Sequence, residues 1–219
     1  MNRGLLEALA ALLLVLLCGR ELTAQEYGSA ARVNDVEISL FRLERHFEDY
    51  LREQRRSVAQ IRNPSVYKRL KREALEQLID KELLWQEAQR RAIAVDDAEV
   101  ARTRAAVAAS FASPEAFARR LQAAGFDEAG YSEYLRREIA ASRMLDQLVG
   151  TVTVSDAEVR SFYQVLRAQG APTSDAPLSE EQLLAPARRI LLEQREGEAR
   201  RAALDQLRAA ARIEVLVPL

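Results

Sequence analysis

Few residues in this sequence could do chemistry. The chain holds one histidine, His46, and one cysteine, Cys18, among 32 Lys and Arg and 33 Asp and Glu. A histidine can move a proton near neutral pH, but only with an oriented partner, and none is signalled around His46; beside Phe47 it reads as a surface or boundary residue. Cys18 lies in an apolar run near the start, where acylation of its thiol would follow cleavage just before it. Leu17 occupies the position where that processing wants a small residue, which argues against a lipid-bearing cysteine. There is no Gly-rich phosphate loop, and no His or Cys cluster stands at metal-ligand spacing, so no metal, cofactor or catalytic residue is expected. The carboxylates sit mainly among Arg and Lys, as in Glu44-Arg45 and Arg136-Arg137-Glu138, and read as solvated helix faces. Asp96 with Glu99, Ser155 with Glu158 and Ser179 with Gln182 have the spacing of capping boxes, which start helices and explain these side chains without catalysis. Among the aromatic residues, Phe41, Tyr50, Tyr67 and Trp85 are candidates to line a binding groove. The competing reading is core, because an aromatic ring at helical spacing usually buries its large apolar area.

The elements that would position these residues are mostly helices. The chain of 219 residues is 48% hydrophobic and 30% charged with few glycines and prolines, the mixture of amphipathic helices. A mainly α fold with short terminal strands is expected. The net charge of −1 leaves no basic footprint for a nucleic-acid backbone. Met1-Asn-Arg3 followed by the apolar run from Ala8 reads as an export signal of residues 1–24, too short for a comfortable membrane span. An uncleaved membrane anchor is the alternative. Cleavage would remove the only cysteine, which suits an oxidising compartment. Val33, Val36 and Ile38 around Asn34-Asp35 then predict a hairpin or strand, and Ser39 leads into a helix with Leu40, Leu43, Phe47, Tyr50 and Leu51 on one face. After Asn63-Pro64, a long helix to about Arg91 carries Leu70, Ala74, Leu75, Leu78, Ile79 and Leu83 as a broad stripe.

One junction is written twice, as "IAVDDAEV" from Ile93 and "VTVSDAEV" from Val152, and each copy starts a helix. Between them a short helix begins at Ser113-Pro114 and ends at Gly125, and a longer one runs from Asp127 to Gly150. Gly170 closes the helix after the second junction, "APTSDAP" from Ala171 has the content of an exposed linker, and a long helix expected to bend near Gly197 follows Ser179. The alternating Ile213, Val215 and Val217 predict a closing strand. It is too short to stand alone, as is the opening one, so the two are expected to pair.

The succession "ARVNDVEIS", "LEQLIDKELLWQEAQRRAIAVDDAEV" and "YSEYLRREIAASRMLDQLVGTVTVSDAEVRSFYQ" resembles the amino-terminal chaperone module of the SurA, PrsA and PpiD group of exported parvulin-type folding factors, over nearly all of Ala31 to Gln164. Asp35 stands where that group often has glycine. In such proteins a parvulin isomerase domain follows the helix that carries the Phe-Tyr pair, here Phe162-Tyr163. The resemblance implies that the linker replaces this catalytic insert, because the segment after it is similar to the helix and strand that close the module. The implied organisation is a signal peptide at 1–24, a helical SurA-like domain at 25–169, a linker at 170–178 and a closing helix and strand at 179–219. The implied function is ATP-independent chaperoning of unfolded or extended exported proteins, outer-membrane proteins among them, in the periplasm or cell envelope. The alternatives are a non-catalytic adaptor for one folded partner and an active prolyl isomerase. Polypeptide clients are the expected partners, with peripheral membrane proximity open and nucleic acid disfavoured.

Overall fold

A computed structural model describes residues 28–170 and 179–219; the expected signal segment with Cys18, and the expected linker beyond Gly170, lie outside the described residues. The described residues cluster into two compact units, one ending at Ile79 and rejoined by Arg212–Leu219, and the other lying within Asp80–Ala211.

In the first unit, β1 (Ser29–Val33) and β2 (Val36–Ser39) form the expected hairpin, and the closing strand β3 (Ile213–Val215) pairs with the other edge of β1. Both ladders are antiparallel. Val33 faces Val36 and Ile213, Arg32 faces Glu37 and Glu214, and Ala31 faces Ile38 and Val215. One face of the sheet is therefore apolar, and the other carries Arg32 between two carboxylates at 2.9 and 3.2 Å. Of the two turn residues only Asn34 takes a positive φ, 55°. Positive φ at the first turn position alone is the sign pattern of a type II′ turn; with Asp at position 35 in place of glycine, the second positive φ of a type I′ turn is disfavoured. The side chain of Asn34 accepts the backbone N–H of Arg212 at 2.9 Å, which ties the returning chain to the turn.

Ser39 caps α1 (Leu40–Glu53) by accepting the N–H of Arg42. Leu43, Phe47, Tyr50 and Leu51 are buried along the predicted stripe. The long helix α2 (Pro64–Arg90) starts at the predicted breaker, where Asn63 accepts the N–H groups of Ser65 and Val66. Its Leu70, Ala74, Leu75, Leu78 and Ile79 are buried in this unit. Each fully buried large aliphatic side chain contributes about 1.5–3 kcal/mol of transfer free energy. The closing strand is shorter than its alternation suggested: Val217 lies beyond the ladder, and Val215, at the sheet edge, is 50% exposed.

In the second unit, the end of α2 joins α3 (Asp97–Ala109), α4 (Pro114–Ala123), α5 (Glu128–Val149), α6 (Asp156–Ala168) and α7 (Glu180–Ala209). Ser113, Asp127, Ser155 and Ser179 cap their helices as expected. The two junctions of the repeat differ in one bond. Ser155 and Glu158 form the full reciprocal box, whereas Asp96 caps α3 but the Glu99 carboxylate turns to Arg143 at 2.7 and 2.8 Å. The last helix continues through Pro186 and Gly197 without interruption.

Three apolar clusters hold these helices. Leu84, Ala88, Ala140, Ala141 and Met144 form the first, with Trp85, Leu204 and Leu207 against it; its alanines let helix backbones approach closely. Val100, Phe117, Tyr131 and Leu135 form the second, and Val159, Leu184, Ala187 and Leu191 the third. Ion pairs flank the first cluster: Asp80 with Arg208 at 2.7 Å, Lys81 with Glu138 at 2.7 Å, and Glu82 with Arg137 at 2.9 Å.

Candidate client-binding surfaces

The four aromatic residues singled out in the sequence fall into different settings. Tyr50 is buried under α1, and its phenol donates to Glu73 at 2.6 Å. Burial, then the Glu73 bond, raises its pKa. Tyr67 meets the ring of Phe47 edge-on at 5.3 Å and lies under the ammonium of Lys71 at 5.4 Å. Both rings are occupied in holding α1 against α2. Trp85 belongs to the second unit, half-buried, with the Arg137 guanidinium over its indole at 5.1 Å. Only Phe41, on the first turn of α1, is broadly open, at 44% exposure. His46 is hydrogen-bonded to Gln77 at 3.0 Å. Among the described residues no group of three His, Cys, Asp or Glu side chains could hold a metal ion.

The structure assembles aromatic side chains elsewhere. Phe111, Phe117, Phe126, Tyr131 and Tyr134 form a connected set of ring contacts, with centroids 5.2 to 6.0 Å apart. Phe117 and Tyr131 are buried, and the other three are partly open. Burial raises the Tyr131 pKa. Each such ring pair adds about 0.5–1.5 kcal/mol beyond area burial, so this set is first a packing device for α3, α4 and α5. Its signal in the sequence was density, since five aromatic residues fall between Phe111 and Tyr134.

Beside that cluster, α3 and α5 enclose an open cleft of about 500 Å³. Leu135 and Ile139 supply its apolar lining, Thr103 and Ser142 its hydroxyls, and Glu99, Glu138, Arg143 and Asp146 its charges. Arg143 bridges the two helices, through its bidentate pair with Glu99 and a bond to the Ala94 carbonyl. A cleft of this size takes a few side chains of an extended chain rather than a folded domain. Its hydroxyls and carboxylates can receive the backbone N–H groups such a chain leaves unpaired. A second open apolar surface lies on α6, where Val165 is 51% exposed next to half-buried Phe162, Tyr163 and Leu166.

The comparisons with known proteins agree with this architecture. The SurA-like N-terminal domain family matches residues 5–145. A solved structure from work on the virulence factor PEB4 and the periplasmic protein Cj1289, two SurA-like chaperones of Campylobacter jejuni, is similar with a TM-score of 0.50 and 10% identity, over 87% of this chain and 99% of that one. No curated protein matches the sequence. At that identity the structural likeness speaks for the mainly α fold.

Proposed function

The chain belongs to the SurA-like N-terminal domain family, and on that premise we propose that it is an ATP-independent chaperone of the cell envelope that holds unfolded or extended segments of exported proteins. The family match over residues 5–145 carries the reading. The α3–α5 cleft and the open apolar side chains of α6 support it, because both suit weak capture of an extended chain rather than one rigid ligand. Phe41 and the half-buried Trp85 remain the residues of the sequence reading best placed to touch a client; Tyr50 and Tyr67 would act by shaping the helices that carry them. In this reading residues 25–169 are the chaperone module, 170–178 stand in place of a catalytic insert, and 179–219 complete the module. Residues 1–24 direct export, and outer-membrane proteins are among the clients.

The test is suppression of aggregation. Near-stoichiometric protein should keep several unrelated, chemically denatured substrates in solution without nucleotide, since open apolar surface captures what would otherwise self-associate. Protection of none, with one stoichiometric partner recovered from envelope extract, would replace the chaperone by an adaptor. A protease-coupled assay of X-Pro isomerisation should show no acceleration across the ~18–20 kcal/mol barrier; a rate proportional to protein concentration would restore the isomerase reading.

A further inference from the structure

The first unit carries a charge distribution that the chaperone reading does not use. The chain as a whole is nearly neutral, yet the stretch from Arg52 to Arg72 holds eight Lys and Arg residues against the single carboxylate of Glu53. Four of these cations are engaged: Arg52 with Asp49, Arg69 with Glu73, Lys71 with Glu44, and Arg72 with the Leu219 carbonyl. Arg55, Arg56, Arg62 and Lys68 are exposed, and among the described residues none of them has a carboxylate within ion-pair distance. They stand on ordered backbone. Ser57 and Gln60 form a reciprocal capping box around a 3-10 turn at Val58–Gln60, and Asn63 caps α2. At the centre of the stretch Val58 is 44% exposed, beside an open cleft of about 470 Å³ walled by Leu51, Arg56 and Glu48. Arg55 is held at a φ of 56°, where an L-residue is costly and glycine would be free.

We propose that this face docks on an anionic phospholipid surface, with Arg55, Arg56, Arg62 and Lys68 against the headgroup phosphates and Val58 entering the interface. Cations around an exposed apolar side chain match the chemistry of such a surface, which attracts basic residues within a Debye length and accepts apolar ones at its boundary. A nucleic acid would want aromatic rings to stack on, and the stretch has none before Tyr67, whose ring is taken by Phe47 and Lys71. An acidic peptide entering the cleft would meet Glu48 on its wall. A lipid surface need not enter. The proposal is independent of what the second unit binds.

The experiment places an environment-sensitive fluorophore at residue 58, by Val58→Cys in a Cys18→Ser background of the full chain, and a control label by Ala202→Cys at an exposed position of α7. Vesicles of phosphatidylcholine alone are compared with vesicles that also contain phosphatidylglycerol, and replacing the four cations while keeping residues 1–24 isolates the contribution of that segment. The label at 58 should brighten and shift to the blue only with anionic vesicles, the one at 202 should stay unchanged, and high salt should reverse the response as the Debye length contracts. Replacing the four cations by glutamine should weaken the apparent affinity for anionic vesicles by up to roughly three orders of magnitude, given the contribution of each basic residue near a charged bilayer. The salt titration of the unsubstituted cations tests the same point without them. Equal responses to both vesicles, no response to either, or an unchanged response after the substitutions would overturn the proposal. So would burial of the label by poly-glutamate at lower charge concentration than by vesicles, which would make the face a peptide site.

Discussion

At the scale of single residues, the decisive groups are ones whose surroundings differ from what their type suggests. Glu82 looks like another exposed helix carboxylate in the sequence, yet it is 1% exposed, bonded to Gln86 at 3.1 Å and paired with Arg137, whose guanidinium covers Trp85. Arg137→Ala would remove that carboxylate's charged partner and open the indole. Because the guanidinium is a third exposed, part of the penalty is relieved by water, and a loss of about 2–3 kcal/mol is expected from urea unfolding. Replacing Glu82 and Arg137 together by apolar residues of similar size should cost less than the single change, which marks the loss as one of charge pairing. Ala92 illustrates the opposite sign. It closes α2 at a φ of 52°, with Ile93 N–H on the Ala88 carbonyl and Ala92 N–H on the Gln89 carbonyl, a helix ending that prefers glycine. Gly125 takes the same place after α4. Ala92→Gly should raise stability by about 0.5–1 kcal/mol, the left-handed strain removed less the extra freedom of the unfolded chain. A thermal scan would read it as a rise of a few degrees.

At the scale of elements, the two ends of the described chain are each other's completion. Without β3, the inner strand β1 would lose a ladder, the bond from the Arg212 N–H to the Asn34 turn would lose the strand that anchors it, and Arg32 would lose Glu214. Deleting residues 213–219 should therefore cost a few kcal/mol, more than frayed residues would, from apolar area at about 25 cal/mol per Å² together with exposed strand edges. An unchanged urea midpoint, followed by circular dichroism, would show that the closing segment adds nothing. This pairing was legible in the sequence because two segments with period-two alternation were each too short to stand alone. The α2 stripe was legible because no breaker interrupts it, and the caps because their chemistry is local. The aromatic set around Tyr131 was not, since its rings come from α4, α5 and the loop segments beside them, and local periodicity carries no record of which helices meet. Nor was the burial of Tyr50 and Glu82, which depends on what packs over them. The cap at Asp96 shows the same limit on a single bond: the spacing was right, but Arg143 on α5 outcompeted the backbone for Glu99.

At the scale of the molecule, net charge near zero hides an arrangement in which carboxylates anchor structure in both units. Glu37 lies below the usual carboxylate range because the Ser29 hydroxyl and the Arg32 guanidinium donate to it; Asp156 is lowered by Arg188, and Glu158 by the backbone and hydroxyl of Ser155. Glu87, nearly buried, is lowered by hydrogen bonds from Arg90, against the opposing effect of burial, and by Arg91. A carboxylate depressed on folding binds fewer protons in the native state than in the unfolded one, so stability rises with pH across its titration. The contribution is complete above the unfolded value, about 4.3 for glutamate, and is lost as pH falls through the lower folded value. Urea midpoints of the full chain should therefore hold steady down to about pH 5 and decline below about pH 4. Glu87→Gln isolates one share of this. The amide cannot accept the same charge-assisted bonds from Arg90 and Arg91, so the variant should be less stable than the parent at pH 7, by about 1 kcal/mol for partly exposed partners. As pH falls below the unfolded value and on through the lowered folded value of Glu87, the parent loses this contribution and the gap between the two should narrow. A gap that stayed constant from pH 7 to pH 3 would mean that Glu87 stabilises the end of α2 by its shape and not by its charge.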